Sequence, residues 1–179
     1  MPYSSNLCKA DIRDWLRMLR PATILDVGAG SGTYSRLFRH VLPWSTWVAV
    51  EVHEPYVERF QLKLHYDQVM VMDALDLEIG PNAFDVVLLG DVLEHLPEDQ
   101  AADLLIRSWD WSAKGLIVSV PLGDCPQGEV DGNDHETHRI SWTASEFMAF
   151  ANSYVTKPNY AVVRKDSDYT IGAYLWVKS

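Results

Sequence analysis

Short apolar runs alternate with amphipathic segments along nearly the whole 179-residue chain, and this alternation limits the fold more than any other feature. "TILDVG", "TWVAVEV", "QVMVMDAL", "FDVVLLGDV" and "KGLIVSVPL" are rich in aliphatic residues and too short for core helices, so they read as strands. Segments of helical period lie between and around them. "DIRDWLRMLRP" puts Ile12, Trp15, Leu16 and Leu19 on one face, with Pro21 after the last turn. "SGTYSRLFRHVL" turns Leu37, Phe38, Val41 and Leu42 inward, and "PYVERFQLKLH" opens on a first-turn proline. "LPEDQAADLLIRSWDW" offers Ala101, Leu104, Leu105 and Ile106 to a core, and "TASEFMAFANSY" is a last helix capped by Thr143. "YAVVRKDS" and "TIGAYLWVKS" alternate and read as a terminal hairpin. Strands this apolar need cover on both faces. The expected class is therefore α/β: a doubly wound, mainly parallel seven-stranded sheet with helices on both faces, ending in an antiparallel hairpin.

Length fits a single domain, 1–179, and the 47% apolar and 22% charged content supports a full core. Net charge is −10 and no Lys/Arg cluster is present, which argues against a nucleic-acid partner. Cys8 and Cys125 stand far apart, without disulfide or zinc spacing, and read as free thiols of a reducing compartment. "MPYSSNLCKADIRDW" lacks the apolar core of a signal peptide, and no run reaches membrane-spanning length. A cytoplasmic protein with no membrane partner is expected. The stretch 123–141 holds Gly, Pro, Asp and His without periodicity, so it is a candidate substrate or lid loop. The N-terminal helix region, 1–20, or a second subunit in a homo-oligomer is the other source of an active-site cap.

Ligands of such sheets sit beyond the C-terminal ends of the strands. "ILDVGAGSGT" lies at such an end, with glycines at 28, 30 and 32. A dinucleotide fingerprint has G-x-G-x-x-G and an acidic residue about 20 positions on. Glu51 supplies the acid, but the third glycine is out of register, with Thr33 in its place. A P-loop is excluded because no Gly-Lys-Ser/Thr follows.

"LDVGAGSGTYS", "VAVEVHEPYVERF", "VMDALDL" and "FDVVLLGDVLEHLPE" occur in this order. Together they resemble the successive motifs of class I S-adenosylmethionine (SAM)-dependent methyltransferases, and the resemblance covers nearly the whole chain. It implies a Rossmann-like sheet and SAM as cofactor. By position it also implies a ligand set. Gly28, Ala29, Gly30 and Gly32 would let the backbone approach the methionine part. Asp26, Gly90 and Asp91 would serve its ammonium end. Glu51, beside Val52, would accept the ribose hydroxyls, and Asp73, beside Ala74, the adenine amino group. The expected function is methyl transfer to a small-molecule acceptor, at a hydroxyl of a sugar or other metabolite. A non-catalytic partner subunit with the same fold, and an NAD-dependent oxidoreductase, are the alternatives.

A hydroxyl acceptor loses a proton on methylation, and this can recruit a histidine. His95 in "DVLEHL" follows a strand end, and reads either as a base or as a cofactor-lining side chain. "DGNDHETHRISW" adds His135 and His138, which would share a face if the segment were helical. All three are candidate bases. The two loop histidines are not an H-E-x-x-H pair, and no metal site is assigned. Arg139 is free either to pair with the neighbouring carboxylates or to hold an anionic acceptor. Tyr34 reads as a cofactor cover or an exposed helix residue. Of Trp109 and Trp111, Trp109 continues the apolar face.

Overall fold

The five apolar runs become β1 (Thr23–Val27), β2 (Thr46–Glu51), β3 (Gln68–Val71), β4 (Phe84–Gly90) and β5 (Ser112–Pro121). The hairpin becomes β6 (Tyr160–Lys165) and β7 (Thr170–Val177). The structure, a computed structural model, describes residues 5–178. Residues 1–4 of the N-terminal region and Ser179 lie outside the described residues. All seven strands form one sheet, ordered β3-β2-β1-β4-β5-β7-β6. The first five are mutually parallel, and β7 inserts antiparallel between β5 and β6. Strand order reverses between β1 and β4, so a crevice opens beyond the ends of those two strands.

Period-two alternation sends each strand's side chains to two separate cores. Leu25, Val27, Val48, Val50, Val87 and Leu89 pack with α4 (Glu98–Trp111) and α5 (Ala144–Tyr154). Ile24, Trp47, Ala49, Val86 and Leu88 pack with α1 (Lys9–Leu19), α2 (Thr33–Phe38) and α3 (Glu54–Arg59). The sheet therefore has helices on both faces, as its composition demands. Thr143 caps α5 through a reciprocal capping box with Glu146.

Several helices are shorter than their periodicity predicts. α2 stops at Phe38 and tightens into a 3₁₀ turn over Arg39–Val41. Its buried line is Tyr34, Phe38 and Leu42, while Leu37, expected inward, is exposed. α3 ends at Arg59, and Gln61 takes a left-handed φ of 51° before a second 3₁₀ turn, Leu62–Leu64. That break changes which residues face the sheet. A continued helix would bury Leu64 one turn after Phe60; instead Leu62 is fully buried and Leu64 is 75% exposed. In α4 the inward line is Ala101, Leu104, Leu105, Ser108 and Trp111. Ile106, expected inward, lies off that face and is exposed, and it is Trp111 that enters the core while Trp109 stays half-buried beneath Lys178. β3 also ends early, at Val71, and Ala74–Asp76 form a 3₁₀ turn.

Candidate active site

A cavity of ≈ 480 Å³ lies at the switch point, lined by the glycine loop, the ends of β2 and β4, the loop 123–141 and the β6–β7 turn. Its size is that of a small-ligand site. The glycine loop explains its own composition. Gly28, Gly30 and Gly32 have φ of 70°, 52° and 74°, a region L side chains enter only at a cost. A Cβ at Gly28 would also stand 2.6 Å from Val92 Cγ2. The loop is tied to β2: the N–H groups of Gly28 and Ala29 donate to the Val50 carbonyl at 2.9 and 3.1 Å.

Glu51 closes the end of β2. Its two carboxylate oxygens accept from Gly30 N–H at 2.7 Å and His53 N–H at 2.8 Å, which aims the carboxylate across the loop. Burial raises its pKa. Asp73 caps the 3₁₀ turn after β3, accepting from Leu75 N–H at 2.9 Å. Asp91 follows β4 with a left-handed φ of 58° and accepts from Ser119 Oγ at 3.1 Å. Gly28, Ala29, Gly30, Glu51, Val52, Asp73, Ala74, Gly90 and Asp91 all line the cavity.

Asp26 and Gly32 do not. Asp26 is buried in β1 beneath the loop and accepts from the Tyr66 hydroxyl at 2.5 Å, and its other oxygen has no partner among the described residues. Burial outweighs the Tyr66 hydrogen bond and pushes its pKa up to about 7. Gly32 starts α2, and a Cβ there would face Leu62 and Tyr66. Both residues hold the loop's underside.

A buried polar chain backs the cavity. Lys9 Nζ donates to the Tyr34 hydroxyl at 2.6 Å; that hydroxyl meets Ser119 Oγ at 2.7 Å, and Lys9 lies 4.0 Å from Asp91. Burial lowers the Lys9 pKa, with Asp91 the main opposing charge. Tyr34 is therefore neither an exposed residue nor a loose cover: it is a buried cavity wall fixed at its hydroxyl.

The three histidines all line the cavity, but they do not group as a helical 135–138 pair would. Only Asp134–Glu136 forms a 3₁₀ turn, and His138 leaves it to stack edge-on against His95 with ring centroids 4.8 Å apart. His95 Nδ1 meets the Thr137 carbonyl at 3.3 Å, and His138 Nδ1 meets the Cys125 carbonyl at 2.6 Å. A carbonyl only accepts, so each Nδ1 carries the hydrogen and each Nε2 keeps its lone pair. Burial lowers the pKa of His138 and, with help from the nearby His138 ring, takes His95 down to about 4. Arg139 pairs outward with Asp134 at 2.7 Å and is not part of the cavity wall.

Two features of the site were not read from the sequence. Glu94 is 1% exposed, and among the described residues its carboxylate has no partner beyond its own backbone amide. Its adjacency to His95 in "LEHL" was the available signal. Asp166, Asp168 and Tyr169, in the β6–β7 turn, complete the mouth. Nothing local marks them, since the turn reaches the cavity only because β7 lies beside β5.

The lining contains seven carboxylates (Glu51, Asp73, Asp91, Glu94, Glu136, Asp166 and Asp168) and neither lysine nor arginine among the described residues. Such a wall favours a cationic ligand and disfavours a pyrophosphate. Residues 25–107, from β1 into α4, match the family profile described as a methyltransferase domain. A search of curated proteins by sequence finds no match. Solved structures match over nearly the whole chain. The 1,6-didemethyltoxoflavin-N1-methyltransferase of Burkholderia thailandensis, with 1,6-didemethyltoxoflavin and S-adenosylhomocysteine bound, is similar at a TM-score of 0.73 and 20% identity, over 98% of this chain and 80% of that one. The magnesium protoporphyrin IX methyltransferase of Synechocystis, with SAM bound, is similar at 0.70 and 16%, over 96% and 78%. Human N-acetylserotonin methyltransferase, in complex with SAM, is similar at 0.67 and 14%, over 96% of this chain but 52% of its own length, so the chain spans about half of that enzyme. The matched segment resembles a methyltransferase domain, and the chain as a whole has the fold of these solved SAM-dependent methyltransferases. SAM carries a sulfonium and an ammonium and no phosphate, and the acid-lined cavity fits that charge pattern.

Proposed function

We propose that the protein transfers a methyl group from SAM to a small-molecule acceptor, at a hydroxyl of a sugar or similar metabolite. The observation that carries this reading is the cavity itself, which joins a glycine loop to seven carboxylates with no lysine or arginine among the described residues. Gly28, Ala29 and Gly30 bring backbone close to the methionine part, and Gly90 and Asp91 receive its ammonium group from the other side of the switch point. Glu51 and Val52 hold the ribose, Asp73 and Ala74 the adenine. Asp26 acts from beneath the loop.

When bound, SAM supplies an activated methyl group, and the protein's part is alignment and proton removal. Nε2 of His95 or His138 keeps a free lone pair on the cavity wall. Either can accept the hydroxyl proton as the acceptor oxygen bonds to carbon, leaving a methyl ether, S-adenosylhomocysteine and an imidazolium. His135, on the same wall, is the third candidate. A small acceptor fits because the cavity is ≈ 480 Å³ and cofactor and acceptor must share it. The free thiols of Cys8 and Cys125 fit a cytoplasmic setting.

Calorimetric titration with SAM, S-adenosylhomocysteine and NAD tests the cofactor reading. Binding of the first two and not of NAD is expected; NAD binding with no SAM binding would overturn it. A panel of hydroxylated metabolites with methyl-labelled SAM then tests the acceptor class.

A further inference from the structure

Glu94, His95 and His138 come from two chain segments more than forty residues apart, and one donor atom from each lies within 4.8 Å of the other two. We propose that these three side chains form a binding site for one divalent cation of the zinc type, set in the wall of the cavity. Three independent features of the geometry carry this.

The first is orientation. Both imidazoles are held by a backbone carbonyl at Nδ1, from Thr137 for His95 and from Cys125 for His138. Metal-ligating histidines are commonly fixed this way, with the outer nitrogen donating and the inner one free to coordinate. The second is Glu94, a carboxylate 1% exposed with both oxygens lacking a partner outside its own residue among the described residues. A buried carboxylate in that state is costly, and a cation is the counter-charge that removes the cost. The third is rigidity. The Glu94 carbonyl accepts from Arg139 N–H at 2.7 Å and Ile140 N–H at 3.1 Å, so the segment bearing His138 is tied to the residue that supplies the carboxylate.

Two imidazoles and one carboxylate suit zinc and its first-row neighbours better than magnesium or calcium, which prefer all-oxygen shells. In a tetrahedral site with bonds of about 2.0–2.1 Å the ligand atoms stand about 3.4 Å apart. The observed group is wider, and side-chain rotation on a cation would draw it in. Three protein ligands leave one position open to the cavity, where an acceptor oxygen would bind; with the ion in place the Nε2 lone pairs of His95 and His138 are taken up, and His135 is the candidate base that remains. That last role rests on the methyl-transfer reading above; cation binding does not.

The test uses the full-length protein, stripped with chelator and titrated with Zn²⁺ by calorimetry, and with Co²⁺ followed by visible absorption. Expected are one ion per chain, d–d bands of a tetrahedral site, and no thiolate charge-transfer band. Glu94→Gln and His138→Ala should each weaken Zn²⁺ binding by at least about tenfold, since even loss of an outer-shell partner costs about 10–100-fold. His135→Ala should stay within about twofold of wild type. S-adenosylhomocysteine titrations on the same samples report whether each variant is folded, and they separate failure of this proposal from failure of the cofactor assignment. Absence of a stoichiometric site in wild type would overturn the proposal. So would Zn²⁺ affinity unchanged in folded Glu94→Gln and His138→Ala, or a site that depends on His135 or a thiol.

Discussion

Asp26 shows how a residue of a sequence motif can serve the site from outside it. Its carboxylate is sealed under the glycine loop, with Tyr66 as partner and a pKa of about 7. A pKa raised above the unfolded value stabilises the fold below the ordinary carboxylate pKa, and that contribution is lost as pH rises through about 7. Asn at this position cannot ionise. Denaturant titrations should therefore show wild type losing about 2–3 kcal/mol more stability than Asp26→Asn between pH 5 and pH 8. Parallel pH profiles for the two proteins would show that the carboxylate is not buried as described. Gly90 is constrained differently. Its φ is ordinary, but a Cβ would come 2.1 Å from the Tyr34 ring, which is pinned by Lys9 and Ser119. Gly90→Ala should cost about 1–3 kcal/mol through overpacking, seen as a lower urea midpoint with an unchanged m-value.

At the level of elements, helix length is where local pattern and structure part most. Apolar residues at 56, 57, 60, 62 and 64 support one long helix, yet the chain breaks at Gln61 to put Leu62 under the glycine loop. The period could not show this, because Leu62 is buried in the core beside the space a Cβ at Gly32 would enter, thirty residues away. α5 is the opposite case: its start is written locally as Thr143 and Glu146, which satisfy each other's backbone N–H groups. Thr143→Ala should lower stability by about 1 kcal/mol, read by thermal or urea unfolding. S-adenosylhomocysteine affinity should not change, because Thr143 is not part of the cavity wall.

For the whole molecule, the distribution of charge says more than its sum. The net charge of −10 excludes little alone, but seven of the carboxylates converge on one cavity without a lysine or arginine among the described residues. A ligand that binds only the folded state adds about 2.7 kcal/mol at a hundred times its Kd. For a chain of this size that is a rise of about 5–10 °C in Tm, at about 2–4 °C per kcal/mol. Saturating S-adenosylhomocysteine should produce such a rise, NAD should produce none, and Glu51→Ala should abolish most of the effect while remaining folded. A full shift in Glu51→Ala would remove Glu51 from the ligand set.

Taken alone, the sequence determined the kinds of element, the mainly parallel sheet, the closing hairpin and the position of the glycine loop. Each of these follows from short-range physics: apolar period, capping, and positive φ that glycine alone adopts freely. The candidate site was legible where its residues sit at strand ends, as with Glu51, Asp73 and Asp91. Only tertiary structure decided the rest. It slid β7 between β5 and β6 and so brought Asp166 and Tyr169 to the cavity. It sealed Asp26 against Tyr66, and set His138 beside His95 and the buried Glu94 rather than beside His135. These pairings join residues forty or more positions apart, and topology and packing, rather than any local period, choose among them.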